Sequence, residues 1–245
     1  MKKIFFLIFL FAVSQNVFSQ SPVNVYAGIG YNLSSGKIDP LDYVISRYNE
    51  TRSYLTKKME SPSGLKGMSF SMGFYTSSVL IDFEYTVKRS SIISAEGTTG
   101  GSEKRRELKI YGKSFNTGVN YILYLKDFNI MPGLSFDWNF MPVESRVYDV
   151  NDPNPPDFEI ASAETGTSFS NSSWQISPNV HIDYLMSENF VLSLKPYYSI
   201  GLTKLDYTYL NKNLNNTTYQ NDPEDKTSSS FSSFGILLKL KYLFL

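Results

Sequence analysis

The chain has 245 residues, with 23 Lys and Arg offset by 23 Asp and Glu, one histidine and no cysteine. Zero net charge supplies no field to gather nucleic acid, and the absence of thiols excludes disulfide stapling, lipoprotein anchoring and cysteine–zinc chemistry. Aromatic residues make up 16% of the chain, and no stretch after the N-terminal segment reaches the roughly 18 apolar residues of a membrane helix.

Met1-Lys2-Lys3 precedes an apolar run from Ile4 to Val13, and Val17-Phe18-Ser19 follows. The run is too short to span a bilayer as a helix, so the pattern predicts a signal peptide over residues 1–19 and an exported domain over 20–245. Beyond it, period-two alternation sets in. Val23 to Leu33 puts Val23, Val25, Ile29, Tyr31 and Leu33 on one side, against Asn24, Gly28, Gly30 and Asn32. The next segment, Ser34 to Lys66, has Asp39 as a predicted N-cap and Pro40 at the first helical position. Leu41, Val44, Ile45 and Tyr48 then follow at helical spacing. A short amphipathic helix there either covers its own molecule or docks on a partner.

Gly67 to Tyr75 alternates Met68, Phe70, Met72 and Phe74 with small residues, and Val79 to Lys88 opposes Val79, Ile81, Phe83, Tyr85 and Val87 to Asp82, Glu84, Thr86 and Lys88. After it, Arg89 to Lys113 contains Glu103-Lys104-Arg105-Arg106-Glu107-Leu108-Lys109, which suits either a solvated strand extension or contact with lipopolysaccharide phosphates. Ser114 to Tyr124 and Phe128 to Phe140 alternate again, the latter setting Trp138 and Phe140 against Asp137 and Asn139. Met141 to Ser173 is acidic, with Glu144, Asp149, Asp152, Asp157, Glu159 and Glu164 against Arg146. Those oxygens could serve calcium, while Pro153, Pro155 and Pro156 favour extended coil. A hairpin from Trp174 to Leu202 turns at Met186–Asn189. Thr203 to Ser230 is Asn-rich and expected to be mobile, and Phe234 to Phe244 closes the set.

Eight alternating segments joined by strictly alternating short and long connections predict an all-β fold. It is an eight-stranded antiparallel up-and-down transmembrane β-barrel, with three short periplasmic turns and four long extracellular loops. Its interior is just wide enough for side chains to fill, so the many Phe, Tyr, Leu and Ile residues of the oily face must lie outside, against lipid. A soluble cup with an apolar lumen would require the opposite partition. The chain resembles the small outer-membrane β-barrel proteins of the OmpA/OmpX-type class in this architecture. That class usually ends in an aromatic residue; here Phe244 precedes Leu245. The resemblance implies a bacterial outer-membrane location.

The inward face carries Asp82, Glu84, Lys88, Asp137, His181, Asp183, Lys195, Lys239 and Lys241. Buried charges persist when paired, which predicts a polar network that plugs the lumen; an ion or proton path is the alternative. His181-x-Asp183 could form a general base with its orienter, but it lies near the short turn at Met186, far from the cell surface. No catalytic residue, cofactor or metal ligand is assigned. The expected function is non-enzymatic: surface loops for interaction, or an accessory subunit of an envelope complex. Its expected partners are outer-membrane lipid, lipopolysaccharide and a protein met through loops or wall. A lipid-modifying surface enzyme and a small pore are the alternatives.

Overall fold

A computed structural model describes residues 23–126, 128–164, 169–215 and 224–244. The expected signal peptide, Asp127 of one short turn, part of the fourth connection and Leu245 lie outside the described residues. In chain order, β1 (Asn24–Ser35) is followed by helix α1 (Asp39–Glu50) and the short β2 (Leu55–Lys57). Next come β3 (Leu65–Tyr75), β4 (Val79–Ser90), β5 (Ile93–Thr99), β6 (Ser102–Tyr121) and β7 (Leu123–Leu125). β8 (Phe128–Phe140), β9 (Val143–Asp149), β10 (Glu159–Ile160), β11 (Ser172–Leu185) and β12 (Phe190–Gly201) follow. β13 (Lys204–Asp206), α2 (Thr208–Asn215), α3 (Glu224–Thr227), β14 (Ser228–Ser230) and β15 (Ser233–Phe244) complete the chain.

Eight of these strands, β1, β3, β4, β6, β8, β11, β12 and β15, pair antiparallel in that order, and β15 pairs back with β1. The ring is closed, so the wall has no open edge. Following paired positions around it from Asn24 through Tyr75, Leu80, Asn120, Gly133, Asn179, Tyr197 and Gly235 arrives at Ser34. That is ten residues further along β1 (34 less 24). Such a stagger over eight strands corresponds to a tilt of about 40° and a backbone radius of about 8 Å. At that tilt the 12 residues of β1 rise about 30 Å, the thickness of a hydrocarbon core.

The pleat decides which residues meet which environment. Ile29, Phe70, Phe83, Val119, Leu134, Leu194 and Leu238 point outward and are exposed, whereas Ser69, Asp82, Asn120, Ser135, Ser177, Ser193 and Lys239 point inward and are buried. The soluble-cup alternative is excluded by this partition. Aromatic rings line both rims. At the long-connection end Trp138 stacks on Trp174 at 4.9 Å between centroids, and at the short-turn end Phe128 meets Tyr184 at 5.1 Å. Pro178 and Pro196 sit in mid-strand facing outward, and the β11–β12 ladder is interrupted beside both, because proline has no N–H to give it.

The long connections differ from the sequence expectation. They fold together into a head with its own apolar core. Arg89 to Lys113 is a continuation of the wall: β5 pairs with the upper half of β6, a strand of 20 residues, across Gly100 and Gly101. Both glycines have positive φ, 62° and 85°, the backbone that a two-residue hairpin turn of matching twist demands. β9 pairs on the other side of β6, β10 on β9, and β2 on β5. Leu41, Val44, Ile45 and Tyr48 of α1 pack into a buried cluster with Leu108, Ile110, Met141, Val143, Leu205, Tyr207, Leu210 and Leu214. The helix therefore covers its own molecule. Its first residue is Asp39 and the capping position is Ile38, without a side-chain cap, so Asp39 is not the N-cap; it pairs instead with Lys37 at 2.8 Å. The Asn-rich fourth connection, expected to be mobile, forms β13 and α2 among its described residues, and Tyr207 donates to the Met141 carbonyl at 2.8 Å.

Candidate functional site

The lumen charges come from facing strands at matching heights. Asp82 and Glu84 on β4 are opposed across the barrel by Lys195 on β12 and Lys239 on β15. Asp82 Oδ2 accepts from Lys239 Nζ at 3.1 Å and from Lys195 Nζ at 3.3 Å. Glu84 Oε2 lies 3.3 Å from Lys239 Nζ and 3.6 Å from Lys195 Nζ. Tyr26 donates its hydroxyl to the second Asp82 oxygen, and Thr86 donates to Glu84 Oε1 at 3.1 Å. Each carboxylate thus meets two ammonium groups and a hydroxyl, the combination a buried charge requires.

A second layer lies toward the short turns. Lys241 Nζ donates to Asp183 Oδ2 at 2.8 Å and to the Tyr75 hydroxyl at 2.9 Å, while Tyr75 donates to the same Asp183 oxygen at 2.7 Å. Beneath it Leu80, Ile122 and Met131 pack with Tyr26 as an apolar floor. In the upper half Asp137 accepts from Asn116 and Ser177, and Lys195 also reaches Asn116 Oδ1 at 3.4 Å. Half-buried Lys88 stands with Glu84, Asp137, Lys195 and Tyr197 around a cavity of about 20 Å³, room for a water molecule or two. At the other end a funnel of about 280 Å³ opens over Tyr75, Asn129 and Asp183.

The structure therefore brings Asp82, Glu84, His181, Asp183, Lys195, Lys239 and Lys241 together, with Asp137 and Lys88 above them. Counting Asp82, Glu84, Asp137 and Asp183 against Lys88, Lys195, Lys239 and Lys241, the charges cancel. His181 is fully buried, its Nε2 3.5 Å from Asp82 Oδ2. Neither ring nitrogen has a hydrogen-bond partner among the described residues. Ser177, the inward serine of its own strand, is engaged with Asp137 and Ser199. This is no base–nucleophile pair. Sequence reasoning missed Tyr26 and Tyr75, although Tyr26 shares the pleat parity of Gly28 and Gly30. Glycine makes room for the rings: a Cβ on Gly73 would come within 2.7 Å of the Tyr26 ring, and one on Gly235 within 2.2 Å of Tyr197.

Charges in the head are largely spent on one another. Glu107 takes Arg146 at 2.7 Å and Tyr148 at 2.8 Å, Arg105 pairs with Glu96 at 3.0 Å, and Lys109 with Glu144 at 3.0 Å. The basic run is a strand extension in which Arg105 and Lys109 meet carboxylates on neighbouring strands and Arg106 donates to Ser145 Oγ at 3.1 Å. Among the described residues no three acidic or histidine side chains stand close enough to hold a metal ion.

A wall greasy outside and ionic inside suits only lipid without and a packed polar core within. The architecture is that of an outer-membrane β-barrel. No protein-family model matches the sequence, and no curated protein matches it by sequence. Solved structures with a similar course of the chain include Neisserial surface protein A, 12% identical, TM-score 0.43, with 91% of this chain and 97% of the other covered. The Escherichia coli outer membrane protein W is 11% identical, TM-score 0.44, with 92% and 100% covered. OprG from Pseudomonas aeruginosa is 9% identical, TM-score 0.42, with 91% and 97% covered. These likenesses concern fold alone.

Proposed function

We propose that this outer-membrane barrel is a non-enzymatic, non-conducting anchor that holds a folded extracellular head for interaction at the cell surface, alone or beside a larger envelope complex. The observation that carries the reading is the union of two cores. An ion-pair network fills the lumen, and above it the long connections share an apolar core instead of leaving the mouth open. A pore has no use for the first, and loose adhesive loops have no use for the second. The short turns face the periplasm, the head faces outward, and the wall contacts outer-membrane lipid and lipopolysaccharide. The lumen network of Asp82, Glu84, Lys88, Asp137, His181, Asp183, Lys195, Lys239 and Lys241 serves as the plug.

Planar-bilayer recording of the purified protein tests this. The expected result is an electrically silent membrane; steady, reproducible unit conductance would replace the anchor with a channel. The enzyme alternative is read from lipid A composition in cells carrying His181→Ala, which is expected to be unchanged.

A further inference from the structure

The funnel at the short-turn end has apolar sides and a charged base. Leu185, Val191 and Leu243 line it together with the exposed Tyr124, and Asn24 and Asn129 add two side-chain amides. Register brings these residues to one ring. Asn24 is opposite Tyr75 in the β1–β3 ladder, Asp183 opposite Asn129 in β8–β11, and Leu185 opposite Val191 in β11–β12. Tyr75 and Asp183 form the base, where Asp183 is only 2% exposed.

The two oxygens of Asp183 are treated unequally. Oδ2 accepts from Lys241 and Tyr75, whereas the buried Oδ1 has no hydrogen-bond partner among the described residues. A buried acceptor left unmet costs more than an ordinary hydrogen bond returns. Water serves it poorly, because a trapped water needs several polar partners and Leu185, Val191 and Leu243 offer none. The oxygen calls for a donor carried on an apolar body. An ammonium group makes the stronger, charge-assisted bond to a carboxylate. Asp82 shows that one carboxylate in this barrel takes two such groups, at 3.1 and 3.3 Å from a single oxygen. Asp183 has one, on its other oxygen. Methylenes behind the ammonium would lie along the apolar sides, as lysine stems do elsewhere. About 280 Å³ falls just below the usual range of small-molecule pockets, which suits one aliphatic chain and not a larger metabolite.

We propose that the funnel is a binding site for a primary ammonium group on an unbranched aliphatic stem, its nitrogen donating to Asp183 Oδ1 and its stem held between Leu185, Val191 and Leu243. Lysine side chains of peptides and free alkylamines share this chemistry. That the ligand comes from the periplasm rests on the orientation proposed above; the chemistry of the site does not. Lys241 and Tyr26, both fully buried, close the way onward. The site is a blind end, and it gives the anchor a second point of attachment opposite its head.

The test uses the full-length protein in detergent micelles and a short diazirine-bearing alkylamine as photolabel, beside the alcohol of the same skeleton. Labelled positions are mapped by mass spectrometry. The amine is expected to mark Leu185, Val191 and Leu243 about tenfold more than the alcohol does, the margin of a charged over a neutral hydrogen bond. Asp183→Asn is expected to erase that preference. Leu185→Trp, which fills the lip and leaves the carboxylate in place, is expected to lose the label from both probes. Asp183→Asn also deprives Lys241 of its partner, so heat-modifiable mobility on SDS gels checks that each variant is folded. Leu185→Trp keeps the test decisive should Asp183→Asn misfold. Unlabelled n-pentylamine and an acetylated glycyl-lysyl-glycine amide then compete for the site. Displacement by both assigns it to peptide lysines as well as free amines, displacement by pentylamine alone assigns it to free amines, and displacement by neither overturns the proposal. Equal marking by amine and alcohol, or wild-type labelling of a folded Leu185→Trp, overturns it too. None of these outcomes touches the conductance on which the anchor function is judged.

Discussion

Asp82 is the residue on which the lumen turns, since Lys195, Lys239, His181 and Tyr26 all converge on it. A buried ion pair adds little net stability compared with well-packed apolar groups, but removing one partner strands the other. Asp82→Asn keeps the shape and leaves two lysines sharing Glu84 alone. It is expected to cost about 3–5 kcal/mol, read as a lower urea midpoint for the barrel refolded into micelles. An unchanged midpoint would mean that the lumen charges are held by water and not by one another. Most of these residues were legible from pleat parity, because a lumen too narrow for bulk leaves few places for Asp, Glu and Lys. The tyrosines were less so. Tyr26 and Tyr75 look like members of the oily face by composition, and only their hydroxyl contacts with Asp82 and Asp183 reveal that they complete the polar set.

Among the elements, the wall strands declared themselves through period two, whereas the head did not. The upper half of β6 reads as a charged run over Glu103–Lys109, in which Arg105 meets Glu96 on β5 while Glu107 and Lys109 meet Arg146 and Glu144 on β9. The signal that could have found it was the Gly100-Gly101 pair between two strand-length segments. In the fourth connection, Tyr207, Leu210 and Leu214 have helical spacing, but Asn and Lys between them mask it. Helix α1 was clear because its four core residues are all apolar, and their cover comes from the other connections. Val44 is fully buried in that cluster. Val44→Asp puts a carboxylate there with no partner, an expected loss of about 3 kcal/mol or more. Limited trypsin digestion of intact membranes is expected to cut the variant near Arg52 and Lys57 while the barrel band keeps its unheated gel mobility. Loss of both together would show that head and barrel fold as one unit.

For the whole molecule, closure is the dominant fact. Eight paired strands leave no free edge, and every wall strand has two neighbours, so local opening must break ladders on both sides at once. The purified protein is expected to resist unfolding in SDS until heated, migrating faster on gels before boiling than after. A single band that ignores heating would contradict the closed wall. Sequence patterning reached this architecture because a membrane imposes one polarity on every strand. It stopped short of the head, where water on one side and a small core on the other ask less regularity of the chain.

β6 belongs to both bodies. Its lower half is pinned between β4 and β8, and its upper half between β5 and β9. A tug on anything grasped by the head therefore travels down an uninterrupted ribbon and loads the wall ladders lengthwise, in shear, where many bonds must yield together. No pliable stalk intervenes. The molecule is stiff along the direction in which a cell surface is pulled.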